Sequence, residues 1–171
     1  MSAMSASLAM NARRIAIVLA IAWGALAPMS AGAENLLTLG GGPFIPDRGE
    51  TETGIGLGFA VPTQSWISFQ MRVDASRARG HGYGVFTLGP QIGTTRGMIR
   101  PYFNAGVGFS AGEVNFAGLV ISWGGGASLD LTGRIGVFAD AHSVTATNME
   151  YDAHYKQIRA GLSLRSGQRA K

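Results

Sequence analysis

Few side chains in this sequence have the types and spacing that catalysis or metal binding requires. The three histidines, His81, His142 and His154, are scattered without metal-ligand spacing, so we expect no metal site and no cofactor. His142 is followed directly by Ser143, and a histidine within hydrogen-bond reach of a serine activates that serine as a nucleophile. Adjacent side chains of an extended strand point to opposite faces, which makes His142 and Ser143 weak catalytic candidates.

A second group of polar side chains recurs at alternate positions of otherwise apolar segments. Ionised groups that are buried away from water need partners of opposite charge, so the arginines and aspartates of this group could pair inside the folded chain. We therefore expect one interior polar network, formed by Gln70, Arg72, Asp74, Asn104, Arg134, Asp140 and Arg159.

The alternation is clearest in the stretch IRPYFNAGVGFSAG at residues 99–112. Phe103, Val107 and Phe109 share one parity, whereas Asn104 and Gly106 belong to the other. A period of two predicts a β-strand with one apolar face. That face could meet the core of a soluble protein or the lipid of a membrane, because a strand in a membrane barrel turns its apolar side outward.

The same period recurs along the chain and is interrupted by turn residues, which predicts a succession of strands. Three connections, at residues 62–64, 94–97 and 131–133, are expected to be short, and those at 45–53, 75–81 and 146–153 to be longer. Short turns on one rim and long loops on the other are typical of outer-membrane barrels. The predicted strands are residues 36–44, 54–61, 65–74, 82–92, 99–110, 115–130, 134–145 and 154–165.

The composition favours lipid over water as the medium around these strands. Charged residues make up only 14% of the 171 residues, and Lys156 and Lys171 are the only lysines. A soluble barrel would need a surface rich in lysine and glutamate. A formal charge of +4 is too small to indicate nucleic-acid binding. The side chains expected to face lipid are Phe59, Phe69, Phe103, Val107, Phe109, Val137 and Leu162.

The beginning of the chain has the pattern of an export signal. Arg13 and Arg14 precede an apolar run at residues 15–27, and Ala31-Gly32-Ala33 has small residues where a signal peptidase reads them. We expect cleavage after Ala33, with a signal peptide at 1–33 and a barrel domain at 34–171. The alternative is an uncleaved anchor helix, for which the apolar run is short. The chain contains no cysteine, so neither a disulfide nor a cysteine-anchored lipoprotein is possible.

One stretch matches the pattern Pro-Tyr-x-x-Ala-Gly-x-Gly, at Pro101, Tyr102, Ala105, Gly106 and Gly108. With this stretch and its glycine-rich alternating strands, the chain resembles the small outer-membrane β-barrels of Gram-negative bacteria, the OmpA/OmpX type. The resemblance implies an all-β, eight-stranded antiparallel up-and-down barrel in the outer membrane. Its expected role is structural or surface-interacting, as a monomer without an open pore. The partners implied are outer-membrane lipid, lipopolysaccharide and the assembly machinery. Such barrels often end on an aromatic residue, where this chain has Leu164.

Two other functions remain open from the sequence. One is a barrel enzyme that modifies lipid A, similar to the lipid A deacylases of this size. Those enzymes have their histidine and serine two positions apart on one strand, whereas the residue two positions after His142 is Val144. The other is a soluble periplasmic β-barrel that binds a lipid.

Overall fold

The computed structural model describes residues 35–47, 50–64, 66–78, 81–94, 97–112, 118–147 and 152–166. The regular secondary structure in these ranges consists entirely of β-strands. No helix in this part of the chain is long and apolar enough to cross a membrane. The expected signal peptide at residues 1–33 and its cleavage site lie outside the described residues.

Each strand pairs antiparallel with its neighbour in sequence, and the first strand also pairs with the last, so the sheet closes into an up-and-down barrel. The prediction of an eight-stranded antiparallel barrel is therefore confirmed. Closure leaves no unpaired sheet edge, which is the condition that a β-structure must meet in lipid. The strands are β1 (Asn35–Pro46), β2 (Glu52–Pro62), β3 (Ile67–Ala78), β4 (His81–Gly93), β5 (Ile99–Gly112), β6 (Gly118–Asp130), β7 (Ile135–Thr147) and β8 (Asp152–Ser166).

The alternation of side chains separates the barrel wall into an outer and an inner face. On β5, Phe103, Val107 and Phe109 are 51%, 56% and 59% exposed, whereas Asn104 and Ser110 between them are buried. Successive side chains of a strand point to opposite sides, so every second residue of the wall faces the lumen. The outer face is mostly apolar, and the inner face carries most of the buried polar groups.

The barrel has two rims, which differ in what they hold. The terminal rim holds the strand ends Asn35 and Ser166 and the connections 63–66, 94–98 and 131–134. The distal rim holds the connections 47–51, 79–80, 113–117 and 148–151. These two sets have similar lengths, so the predicted excess of loop length on one rim is wrong.

The reason for this error is that strand pairing continues through polar residues near the distal rim. In β3 and β4, for example, Arg77 pairs with Gly82 and Ala78 pairs with His81. The backbone ladder needs no apolar side chain at these positions, because its hydrogen bonds join main-chain groups. The outer parts of the segments predicted as long loops, residues 45–46, 52–53, 75–78, 81, 146–147 and 152–153, are therefore the ends of strands.

Tight turns shape the terminal rim. The backbone amides of Thr63 and Gln64 both donate to the carbonyl of Ile67, at 2.9 and 3.0 Å. In the turn before β7, the Thr132 hydroxyl accepts a hydrogen bond from the backbone amide of Ile135 at 3.0 Å. Gly97 has a φ of 95°, a conformation that glycine adopts without strain. These contacts fix where β3, β5 and β7 begin.

Apolar side chains fill the lumen near the distal rim. The Phe44 and Tyr155 rings lie 5.6 Å apart between centroids, and the Tyr83 ring meets Tyr155 edge-on at 6.2 Å. We call this group the apolar cap. It consists of Phe44, Val85, Val120, Val144, Ala146 and Tyr155, and the partly buried Tyr83 packs against it.

Candidate functional site

A pair of hydrogen bonds between neighbouring strands lies at the centre of the lumen. Asp140 of β7 and Arg159 of β8 are paired in the strand register and are 4% and 1% exposed. The Arg159 guanidinium donates from Nε to Asp140 Oδ1 at 2.9 Å and from Nη2 to Oδ2 at 2.6 Å. Two parallel charge-assisted bonds of this kind fix the position of both side chains.

A second carboxylate extends this pair across the barrel. Asp74 of β3 accepts hydrogen bonds at Oδ1 from Arg159 Nη1 at 3.1 Å and from Gln157 Nε2 at 2.9 Å. Its Oδ2 lies 2.6 Å from Arg72 Nε. We call the four charged groups Arg72, Asp74, Arg159 and Asp140 the ionic bridge. Their charges alternate along the row and balance, as buried charges require.

Aromatic and neutral polar side chains surround the ionic bridge. The Tyr102 hydroxyl donates to Asp140 Oδ2 at 2.9 Å, and His142 Nε2 lies 3.2 Å from the same oxygen. The guanidinium carbon of Arg159 lies 5.6 Å from the centroid of the Phe138 ring, within the range of a cation–π contact. Strands β3, β5, β7 and β8 therefore all contribute to one connected cluster across the lumen.

Two of the predicted network residues form a separate contact. The Asn104 side-chain amide donates to Gln70 Oε1 at 2.5 Å, which joins β5 to β3 through the interior. Both residues are buried, at 5% and 9% exposure. The hydrogen bond supplies each amide with a partner that it would otherwise lose on leaving water.

The interior prediction is wrong for Arg134. This residue precedes the first residue of β7, lies in the turn at the terminal rim, and is exposed. Arg134 has the same parity as Asp140. Because β7 begins only at Ile135, Arg134 lies outside the strand, and the strand alternation does not direct its side chain into the lumen. The other predicted network residues, Gln70, Arg72, Asp74, Asn104, Asp140 and Arg159, are all buried.

The residues expected to face lipid have outward parity, with different degrees of exposure. Phe69, Phe103, Val107, Phe109 and Leu162 are each more than 40% exposed. Val137 is partly exposed.

Phe59 departs from this group. It has outward parity and lies between its paired residues Leu37 and Met71, but it is only 7% exposed. Its exposure therefore does not support a lipid-facing side chain at this position.

The weak catalytic pair is not assembled. His142 is buried in the lumen at 2% exposure, whereas Ser143 has outward parity and is partly exposed on the other side of the wall. Val144, two positions after His142, faces inward within the apolar cap and has no hydroxyl. Among the described residues, no group of three or more histidine, aspartate or glutamate side chains could hold a metal ion.

A second charged cluster, which the sequence analysis missed, lies inside the terminal rim. Asp130 accepts contacts from Arg100 Nη2 at 2.6 Å and from Arg165 Nη2 at 3.1 Å, and Arg165 Nη2 also lies 3.2 Å from Ser128 Oγ. Arg100 shares the inward parity of Asn104, so the alternation on β5 contained the signal for it. We call Arg100, Asp130 and Arg165 the rim cluster.

Between the rim cluster and Tyr102 lies a small cavity of about 60 Å³, lined also by Gln91 and Ala60. A pocket for a small organic ligand usually measures roughly 300–1,000 Å³. This cavity has room for a few water molecules only.

A closed barrel with an apolar outer face and a polar, filled interior is the architecture of a small membrane-spanning β-barrel. No protein-family model matches the chain, and no curated protein sequence matches it. Solved structures do show the same fold, which is that of the small eight-stranded outer-membrane β-barrels.

Three of these structures illustrate the likeness. Neisserial surface protein A is 10% identical with a TM-score of 0.58, covering 80% of this chain and 99% of its own. The N-terminal β-barrel domain of OprF from Pseudomonas aeruginosa is 11% identical with a TM-score of 0.58, covering 81% of this chain and 100% of its own. The outer membrane enzyme PagL is 13% identical with a TM-score of 0.50, covering 76% of this chain and 98% of its own.

Proposed function

We propose that this chain is an integral protein of the bacterial outer membrane, a monomer with a structural or surface-interaction role and no open pore. The observation that carries the proposal is the combination of a mostly apolar outer face with a lumen that buried side chains occupy at three levels. The partners that follow are outer-membrane lipid, lipopolysaccharide and the machinery that inserts such barrels.

Three layers of side chains support a lumen without an open path. The apolar cap lies towards the distal rim, the ionic bridge occupies the centre, and the rim cluster lies towards the terminal rim. An eight-stranded barrel is just wide enough for side chains to fill its interior. Solutes would have to displace buried ion pairs to pass, which makes free diffusion unfavourable.

The orientation follows from export and from the position of the strand ends. A barrel with an even number of strands has both ends on one rim, and outer-membrane barrels keep this rim in the periplasm. We therefore place the terminal rim in the periplasm and the distal rim at the cell surface. Trp66 on the terminal rim is 52% exposed, as expected for an aromatic residue at a membrane interface.

Neither alternative function gains support from the site. A barrel enzyme with His142 and Ser143 would need both side chains on one face, and they lie on opposite faces. A soluble lipid-binding barrel would need an apolar cavity, whereas the centre of this lumen holds two arginines and two aspartates.

Two measurements on the full chain test the proposal. After expression in a Gram-negative host, membrane fractionation with a heat-modifiability gel should place the chain in the outer membrane, with a mobility that changes on boiling. Purified barrel in planar bilayers should then produce no stable conductance steps. Recovery in the soluble periplasm would contradict the membrane location, and steady channel openings would contradict the filled lumen.

A further inference from the structure

The outer face is not uniformly apolar around the barrel. Near the distal rim it carries a patch of polar side chains two strands wide, which we call the polar strip. These side chains have outward parity and are partly or fully exposed. The strip consists of Ser143, Thr145 and Thr147 of β7 and His154 and Lys156 of β8.

The strand register shows that the strip interrupts an apolar surface. On β6, the residues paired with Thr147, Thr145 and Ser143 are Leu119, Ile121 and Trp123, each more than 50% exposed. On the other side, Lys156 pairs with Ile45 of β1. Apolar side chains thus flank the polar strip along its β6 side and flank Lys156 on its β1 side. Just beyond the end of β1, towards the distal rim, the exposed Asp47 lies opposite His154, and its backbone amide donates to the His154 carbonyl at 3.1 Å.

Lys156 is the cation of this strip. It is exposed, and none of the described carboxylates forms an ion pair with it. The residue paired with Lys156 on β7 is Ser143. Next to this pair, Thr145 Oγ1 and His154 Nδ1 form a hydrogen bond of 2.9 Å. The strip therefore offers one positive charge among several hydrogen-bonding groups, and the one described carboxylate residue at its edge is Asp47, opposite His154 and two residues along the chain from the β1 partner of Lys156.

The depth of Lys156 places its ammonium near the lipid headgroups. Lys156 is the fifth residue of β8, and a strand tilted by about 40° rises roughly 2.5 Å per residue along the barrel axis. Its Cα therefore lies about 10 Å below the beginning of the strand. A lysine at this depth extends its stem along apolar surface and brings the ammonium up to the interface.

We propose that the polar strip binds a phosphate group of a lipid in the outer leaflet, the phosphate of lipid A. Lys156 supplies the charge, and Ser143, Thr145 and His154 supply hydrogen bonds to the phosphate and the sugar next to it. Ala141 and Ile158, the next outward residues below the strip, meet the acyl chains. This inference rests on the proposed outer-membrane location.

The test compares lipids that differ only in phosphate. The full chain is folded into phosphatidylcholine vesicles alone, with bisphosphorylated lipid A, or with the same lipid A after removal of both phosphates. The unfolding temperature is read from the heat-modifiability gel. Bisphosphorylated lipid A should raise it by about 3 °C, the shift expected from one favourable lysine–anion contact in a chain of this size, and dephosphorylated lipid A should not.

Variants of the polar strip test whether it causes the rise in unfolding temperature with bisphosphorylated lipid A. Lys156→Gln should lose about half of the rise or more, and Lys156→Arg should keep it. Arg134→Gln, which removes an exposed cation at the opposite rim, should also keep it. An equal rise for Lys156→Gln and the wild type would overturn the proposal, as would an equal rise with dephosphorylated lipid A. A chain that enters no vesicle at all would overturn the proposed function instead.

Discussion

Arg159 and Asp140 are joined by two hydrogen bonds in the middle of the barrel, Nε to Oδ1 at 2.9 Å and Nη2 to Oδ2 at 2.6 Å. Because Arg159 also reaches Asp74, one guanidinium links two carboxylates from opposite parts of the wall. The ionic bridge therefore does for this barrel what an apolar core does for a soluble protein. It occupies the centre of the lumen and connects strands from opposite parts of the wall.

Neutralising Asp140 should destabilise the barrel strongly. Asp140→Asn leaves the buried Arg159 with one carboxylate in place of two, and removing one partner of a buried pair typically costs about 3–5 kcal/mol. Urea unfolding in lipid vesicles measures the loss. The double variant Asp140→Leu with Arg159→Leu removes both charges and leaves Arg72 with Asp74, so its loss should be smaller. A double variant less stable than Asp140→Asn would refute this electrostatic explanation.

Gly56 should accept a side chain only with a loss of stability. A Cβ built at this position would lie 2.9 Å from Nη1 of Arg159 and even closer to Asp74, so the ionic bridge depends on this glycine. Gly56→Ala should lower the free energy of unfolding by about 1–3 kcal/mol. Gly133→Ala is the matched control, since nothing lies within 4 Å of a Cβ there. Equal free energies of unfolding for the two variants would contradict this prediction, because the ionic bridge would then have rearranged around the new methyl group without losing stability.

A charge on the outer face should cost stability according to its depth. Val107 is 56% exposed and lies well inside β5, so Val107→Arg places a cation in hydrocarbon, at about 2–4 kcal/mol. Thr147→Arg, at the last residue of β7, should cost about 0–1 kcal/mol. Gly106 would be a poor control, because a Cβ there would lie 3.1 Å from the Leu88 carbonyl oxygen. Equal losses in vesicle unfolding would argue against lipid around the barrel.

The rim cluster should respond to salt, unlike the ionic bridge. Asp130→Asn removes the carboxylate that Arg100 and Arg165 both contact, and the two guanidinium groups then repel each other. Dissolved ions reach the rim more readily than the buried centre, so added salt should restore part of the lost stability. The same salt should restore little in Asp140→Asn. Identical salt responses of the two variants would contradict this difference in environment.

The fold was readable from the sequence because the period of two survives in most strands. On β5, Phe103 and Asn104 were assigned to opposite faces, and their exposures of 51% and 5% agree with that assignment. Parity needs no knowledge of which strands are neighbours. The interior positions of Arg72, Asp140 and Arg159 could be predicted in the same way.

The rest of the site needed information that parity does not contain. The position of Arg134 depends on where β7 begins, and the turn hydrogen bond from Ile135 to Thr132 sets that point. The rim cluster brings Arg100 and Arg165 together from strands that are not adjacent. The pairing of their charges with Asp130 depends on strand register, which the sequence alone does not supply.

Cysteine labelling in the membrane is the most direct test of a barrel whose outer face lies in lipid. The chain has no native cysteine, so Val107→Cys and Thr147→Cys each introduce a single thiol. In isolated outer membranes, a water-soluble maleimide should label the thiol at position 147 and leave that at position 107 unreacted until the membrane is dissolved. Rapid labelling at position 107 by the water-soluble reagent in intact membranes would contradict a lipid-facing outer surface.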